Sequence, residues 1–239
     1  FYSTLVKLIK FIKIIPGIPD PHARRTYRGN KQVTFLLMGS INNPSEFYIK
    51  GGLEAFAAFA EIKKKHVHVR LVAKCFVPKE IKSKYAPLDD IKIVERNLSD
   101  AEMRELYLSS DVLLMPGHGY YIMAFLEAFS FGLPIISLDT YGVAEYVENG
   151  VNGFVVQPAA HIPYHDPEYP VNVRSEKFLQ AVNKLDPRVI RDLAEKANLL
   201  IEKPALLRRM SEDTLRIFKE KYTLEKKNAQ LKKIFDEAL

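Results

Sequence analysis

The sequence predicts an α/β fold, a parallel sheet with helices on both faces. Three observations predict it. Apolar runs of strand length recur at 33–38, 67–73, 91–94, 111–115 and 134–138, too short for independent helices. Segments with helical periodicity or helix-start signals separate them. Glycine and proline punctuate the joins. Strands linked by crossover helices run parallel, and such sheets bind ligands in the crevice beyond the strands' C-terminal ends.

Residues 1–15, FYSTLVKLIKFIKII, set Lys7, Lys10 and Lys13 among Leu5, Val6, Leu8, Ile9, Phe11 and Ile12. As a helix this segment is basic and amphipathic. It suits either a membrane surface or one face packed on another domain. Residues 16–31, rich in Pro, Gly and Arg, read as an interdomain linker. VTFLLM at 33–38 is the first core strand, ended by Gly39-Ser40, and 41–49 reads as polar and turn-like. Gly51-Gly52 precede a helix with Leu53, Phe56, Ala57, Phe59, Ala60 and Ile62 on its inner face. This is a mononucleotide-binding arrangement without a glycine-rich fingerprint.

The second strand is 67–73. His66 and His68 share strand spacing but have no third ligand nearby, which argues against a metal. A short helical or loop connection, 76–90, leads to the third strand at 91–94. Arg96 follows it and suits stacking on a nucleobase or an exposed salt bridge. Ser99 and Glu102 form a capping box that starts the next helix.

The most informative stretch is 111–152. A strand at 111–115 is broken by Pro116-Gly117-His118-Gly119, and a helix then carries Met123, Leu126, Glu127 and Ser130. Gly132 and Pro134 end that helix, and 134–138 is the next strand. The loops at 116–121 and 139–144 should therefore converge on one site. Free N–H groups around Tyr120 to Met123 suit a phosphate there. After 153–156, a long segment at 157–174 holds four prolines with His161, Tyr164, His165 and Tyr169. Loops of this length are functional or mobile, and its two histidines lack an anchored third ligand. From Ser175 the chain reads as helical, with Asp186-Pro187, Pro204 and Tyr222-Thr223-Leu224-Glu225 as helix starts.

The net charge of +6 favours anionic partners, whether nucleotide sugars, phospholipid head groups or nucleic acid, or else marks a solvated lysine-rich surface. No nucleic-acid motif or zinc-type spacing occurs, so no specific nucleic-acid partner and no metal are expected. No apolar run reaches membrane-spanning length. Cys75 is the single cysteine, which excludes an intramolecular disulfide and accords with a reducing cytoplasm. A chain beginning at Phe1 rather than Met reads as a fragment or a processed product.

The pattern SDVLLMP…AFLEAFSFGLPIISLD…GVAEYVENGVNGFVV resembles the donor half of the family 4 glycosyltransferases, retaining enzymes of the GT-B fold. The resemblance runs from about Ile14 to Leu239. It implies a Rossmann-like half domain with a helical C-terminal tail. Residues 1–31 would be the end of an acceptor domain and a linker. Residues 32–210 would bind the nucleotide sugar, and 211–239 would pack back toward the domain cleft. Glu127 matches the family's ribose-binding glutamate. Gly119 stands where the family has its first motif glutamate. Tyr120 and Ile122 stand where glycines follow it, with Tyr121 between them. Glu145 is kept, and Tyr141-Gly142 replaces a glycine pair. Lys50-Gly51 is kept, but Ser40 replaces the arginine that completes the diphosphate grip. Arg96 falls at the base-binding backbone, and 157–174 reads as an insertion.

The function implied is retaining transfer of a hexose from a UDP- or GDP-type donor to an acceptor held by another domain of the same protein. No cofactor or metal would be required. The chain alone would be inactive. Lys50 would neutralise the leaving diphosphate, and His118 would face the sugar as a partial cationic substitute if protonated. A cytoplasmic location is expected, with the inner membrane face as an alternative if 1–15 lies on lipid. Ser40 and Gly119 keep open a second reading, a degenerate nucleotide- or sugar-binding module that regulates or scaffolds without turnover. Residues 1–15 alone support a third, a basic membrane-surface adaptor.

Overall fold

The computed structural model describes residues 16–22, 32–165 and 171–238. The expectations for 1–15, 23–31, Pro167, Tyr169 and Pro170 concern residues outside that description. The strands are β1 (Val33–Met38), β2 (Val69–Lys74), β3 (Ile91–Ile93), β4 (Val112–Leu114), β5 (Ile135–Leu138) and β6 (Gly153–Val156). They form one sheet in the order β3-β2-β1-β4-β5-β6, every pairing parallel. The helices are α1 (Ser45–Ile49), α2 (Gly52–Lys65), α3 (Lys79–Tyr85), α4 (Asp100–Leu108), α5 (Ile122–Ser130), α6 (Glu176–Val182), α7 (Pro187–Glu202), α8 (Pro204–Lys221) and α9 (Leu224–Ala238). This is the expected α/β, Rossmann-like sheet with helices on both faces and a helical C-terminal end.

Strands covered on both faces carry uninterrupted apolar runs. Phe35, Leu36 and Leu37 in β1, all of β4 and Ile135, Ile136 and Leu138 in β5 are buried accordingly. One polar residue joins the two central strands. Buried Asp111 accepts from the Thr34 N–H at 2.7 Å through Oδ2 and donates its own N–H to the Thr34 carbonyl at 2.8 Å. The strand order reverses between β1 and β4, so the crevice beyond their C-terminal ends is the topological switch point where such sheets bind ligands.

Several local expectations change. Segment 41–49 is not all turn, because Ser45–Ile49 forms α1. The Asn43 side chain accepts from both the N–H and the hydroxyl of Ser45, and Phe47 and Ile49 are buried. β2 starts at Val69, so His66 ends α2 and the His68 carbonyl accepts from Val33 N–H. On α2 the buried residues include Glu54, Ala55 and Ala58, whereas Ala57 and Ala60 are half-buried along the groove against α7.

A boundary between 210 and 211 falls inside α8, which runs unbroken. α8 lies close on the end of α5. Gly132 has a φ of +74, a Cβ there would meet the Leu215 side chain at 2.8 Å, and the Ser211 hydroxyl donates to the Gly132 carbonyl. At the α8–α9 corner, Ile18 N–H donates to the Tyr222 carbonyl (3.0 Å) and Leu224 N–H donates to the Ile18 carbonyl (2.9 Å). Among the described residues no helix is long and apolar enough to cross a membrane.

Candidate functional site

Two loops meet at the switch point because of a glycine. Gly51, between α1 and α2, has a φ of +76, and a Cβ on it would lie 2.0 Å from the Pro116 carbonyl oxygen. Only glycine allows this corner to rest on the loop after β4. His118 N–H then donates to the Ile49 carbonyl at 2.7 Å. From the other side, the Thr140 hydroxyl donates to the Gly117 carbonyl (2.9 Å) and the Ser137 hydroxyl to the Met115 carbonyl (2.7 Å). Loop 116–121 is thus held between the α1–α2 corner and the end of β5.

Lys50 sits at this corner with its Nζ over the Tyr121 ring, 4.9 Å from the centroid. Burial lowers its pKa. Glu46 and Cys75 oppose that shift, while Lys74 and Arg174 add to it. Glu46 is buried and links two elements. Its Oε1 accepts from Arg174 Nη2 at 2.7 Å, and its Oε2 lies 3.5 Å from the Tyr121 hydroxyl. Burial, with the Glu46 charge next, raises the Tyr121 pKa. The Tyr121 side chain also occupies the space beside Gly119, where a Cβ would meet its hydroxyl at 3.0 Å. A side chain at 119 and this tyrosine ring compete for one volume.

His118 is buried, and both ring nitrogens are engaged. Nε2 lies 2.9 Å from Glu54 Oε1, and Nδ1 lies 2.5 Å from the Tyr164 hydroxyl. Its ring stacks on Tyr164, so the imidazole is an internal tie between α2 and the connection after β6. Nearby, Tyr141 keeps a positive φ of 44 at the first position of the replaced glycine pair. Glu54 Oε2 and the Tyr141 hydroxyl are both buried and have no hydrogen-bond partner among the described residues.

The remaining sequence candidates make other contacts. Ser40 lies at the end of β1 beside Lys74 and Cys75, its carbonyl accepting from Phe76 N–H and its hydroxyl from Asn42 N–H. Ile122 opens α5 and is buried, while Tyr120 is exposed with its hydroxyl 3.3 Å from that of Tyr146. Tyr120, Tyr121, Tyr141 and Tyr146 leave a recess of only about 10 Å³ between them. Glu127 on α5 accepts from the Tyr107 hydroxyl through Oε2 at 2.7 Å. Glu145 is exposed at the end of the 3₁₀ turn Val143–Glu145.

Arg96 is not in the Lys50 cluster. It lines a separate cleft of about 790 Å³ between the sheet and α4, with Thr34, Val72, Lys92 and Glu105. There its Nη2 donates to Glu102 at 2.5 Å. That bond, with those from Ser99, holds the Glu102 carboxyl down at about 2. Among the described residues no group of three or more His, Cys, Asp or Glu is placed to hold a metal.

Sequence reasoning missed Glu46, Glu54, Tyr164 and Arg174. Glu54 carried a weak signal, an acid beside the apolar stripe of α2, but an acid in a helix's first turn is ordinary dipole chemistry. The other three come from segments without periodicity.

A parallel sheet with its crevice at the β1–β4 switch point defines the Rossmann-like α/β class. The chain belongs to the glycosyl transferases group 1 family, whose model matches residues 32–164, more than half of it. Among curated proteins no sequence matches this chain. Solved structures agree on the fold. The C-terminal domain of a glycosyl transferase group 1 family protein, LpcC from Francisella tularensis, is 18% identical with a TM-score of 0.61, over 87% of this chain and 96% of that one. The Anabaena protein HepE, solved with UDP and glucose, is 15% identical with a TM-score of 0.65, over 93% of this chain and 56% of that one. WaaG, a glycosyltransferase of lipopolysaccharide biosynthesis, is 20% identical with a TM-score of 0.60, over 86% and 51%. The chain therefore spans about half the length of HepE and WaaG.

Proposed function

We propose that this chain is the donor-binding half of a retaining glycosyltransferase. It holds a nucleotide-diphosphate sugar, whose hexose passes to an acceptor bound by a second domain. The observation that carries this reading is the convergence of Lys50 and the start of α5 on the β1–β4 switch point. Negative charge grows on the leaving diphosphate as the glycosidic bond breaks, and fixed positive charge there lowers the barrier. Lys50 supplies that charge, and the N–H groups of Ile122 and Met123 at the start of α5 add to it. Glu127, its Oε2 fixed by Tyr107, offers Oε1 to the ribose hydroxyls. The complex of HepE with UDP and glucose supports a uridine nucleotide as the first choice. No metal is needed when side chains and backbone neutralise the diphosphate. In this reading the acceptor is held by a second domain, and transfer requires both.

A second reading, binding without turnover, is favoured by two observations. The Tyr121 ring stands beside Gly119, and the His118 nitrogens are committed to Glu54 and Tyr164. Calorimetric titration of the chain with UDP, GDP and ADP tests the donor site directly. Micromolar binding of one nucleotide, weakened tenfold or more by Lys50→Ala and by Glu127→Gln (about 1.4 kcal/mol), supports it. No binding up to millimolar concentration overturns it. Transfer assays on the full-length protein then separate the transferase from the silent module.

A further inference from the structure

We propose that Arg174 binds the donor diphosphate together with Lys50, and that Glu46 is its positioning residue. This rests on the donor-site reading above and adds a residue from a part of the chain that reading did not use. A diphosphate carries more negative charge than one lysine neutralises, and Ser40 at the end of β1 offers none. The missing charge is present from elsewhere. Arg174 follows the long connection after β6, immediately ahead of the Ser175 cap of α6. Its guanidinium reaches Glu46 of α1, and Lys50 caps that same short helix at its C-terminal end.

Burial separates this contact from an ordinary surface ion pair. The Glu46 side chain is 8% exposed and the Arg174 side chain 64% exposed. A pair between two solvated chains contributes little and fixes nothing. Here one partner is rigid. Glu46 spends Oε1 on Arg174 and Oε2 on Tyr121, the ring beneath Lys50. The Arg174 N–H is also tied, to Asn172 Oδ1 at 2.9 Å. A guanidinium pinned by one nitrogen turns its remaining edge outward, and that edge matches phosphate oxygens two at a time. Among the described residues, Nε and Nη1 of Arg174 make no other hydrogen bond. Lys50 feels the charges of Lys74 and Arg174 against that of Glu46.

The test compares nucleoside diphosphate with nucleoside monophosphate by calorimetry, using UDP, GDP and ADP and their monophosphates, on wild type, Arg174→Gln, Arg174→Lys and Glu46→Gln. Arg174→Gln is expected to weaken the diphosphate at least tenfold and the monophosphate less than threefold. Arg174→Lys should restore part of the loss, and Glu46→Gln should give a smaller loss of the same kind. Matched thermal unfolding of Arg174→Gln and wild type excludes a folding defect as the cause. Diphosphate binding by Arg174→Gln within twofold of wild type overturns the proposal and leaves the donor site standing, provided Lys50→Ala still weakens binding tenfold or more. Equal losses for diphosphate and monophosphate also overturn it, because they mark a purely structural arginine. Failure of wild type to bind any of the nucleotides removes the donor site and this proposal together.

Discussion

The Tyr164 hydroxyl lies 2.5 Å from Nδ1 of His118, which fastens the connection after β6 to the loop after β4. Tyr164→Phe keeps the ring and removes that bond, leaving a buried imidazole nitrogen without a partner. The expected cost is about 1–3 kcal/mol. In a domain of this size that lowers the melting temperature by roughly 2–4 °C per kcal/mol. Thermal unfolding by circular dichroism measures it, and an unchanged midpoint would show that the contact contributes nothing.

Glu54 grips the other side of the same ring, 2.9 Å from Nε2. Glu54→Leu leaves Nε2 buried and unpaired and should destabilise the fold by about 1–3 kcal/mol. Glu54→Gln keeps a carbonyl acceptor at that position and should cost less. Urea denaturation of the two variants gives the ranking, and the reverse order would show that Nε2 does not depend on this acceptor.

Gly51 and Gly150 have similar positive φ values, 76 and 80, but different surroundings. A Cβ on Gly150 meets nothing within 4 Å, whereas one on Gly51 meets the Pro116 carbonyl at 2.0 Å. Gly150→Ala should cost only the left-handed backbone term, about 1–2 kcal/mol. Gly51→Ala should cost more, and by displacing the α1–α2 corner it should also weaken nucleotide binding. Parallel unfolding and titration experiments distinguish the two, and equal costs would mean that the two loops do not need their close approach.

Burial pushes the Cys75 thiol from 9.0 up to about 12, with the nearby Glu95 charge adding to the shift. Above pH 9 the unfolded chain loses this proton while the folded chain retains it. The folded state then binds more protons, so stability falls as pH rises from about 9 toward 12 and is unaffected by this group below that window. Cys75→Ala should flatten the alkaline slope of a stability–pH profile. In the native protein the thiol should resist iodoacetamide at pH 8 and react once the chain is unfolded. Fast alkylation of the native chain would refute its burial.

The layered architecture was legible because parallel strands leave long apolar runs and because glycine and proline mark their ends. The loop after β4 was legible for the same reason, through Pro116, Gly117 and Gly119. What escaped was built across distance. Tyr164 meets His118 over a separation of 46 residues, and Arg174 meets Glu46 over 128. Neither lies in a periodic segment that would say where its side chain goes. Helix α1 escaped because it is five residues long and its N-cap residue, Pro44, makes no side-chain cap. His118 read as a side chain facing the sugar, a cation only if protonated. Its commitment to Glu54 and Tyr164 follows from tertiary packing.

The clip between Ile18 and the α8–α9 corner sets a load path. Gly17 has no slack beside it, since a Cβ there would meet the Thr223 carbonyl at 2.8 Å. Ile18 is therefore tied to this corner at both its N–H and its carbonyl, through Tyr222 and Leu224. The incoming segment and the last helix share one anchor.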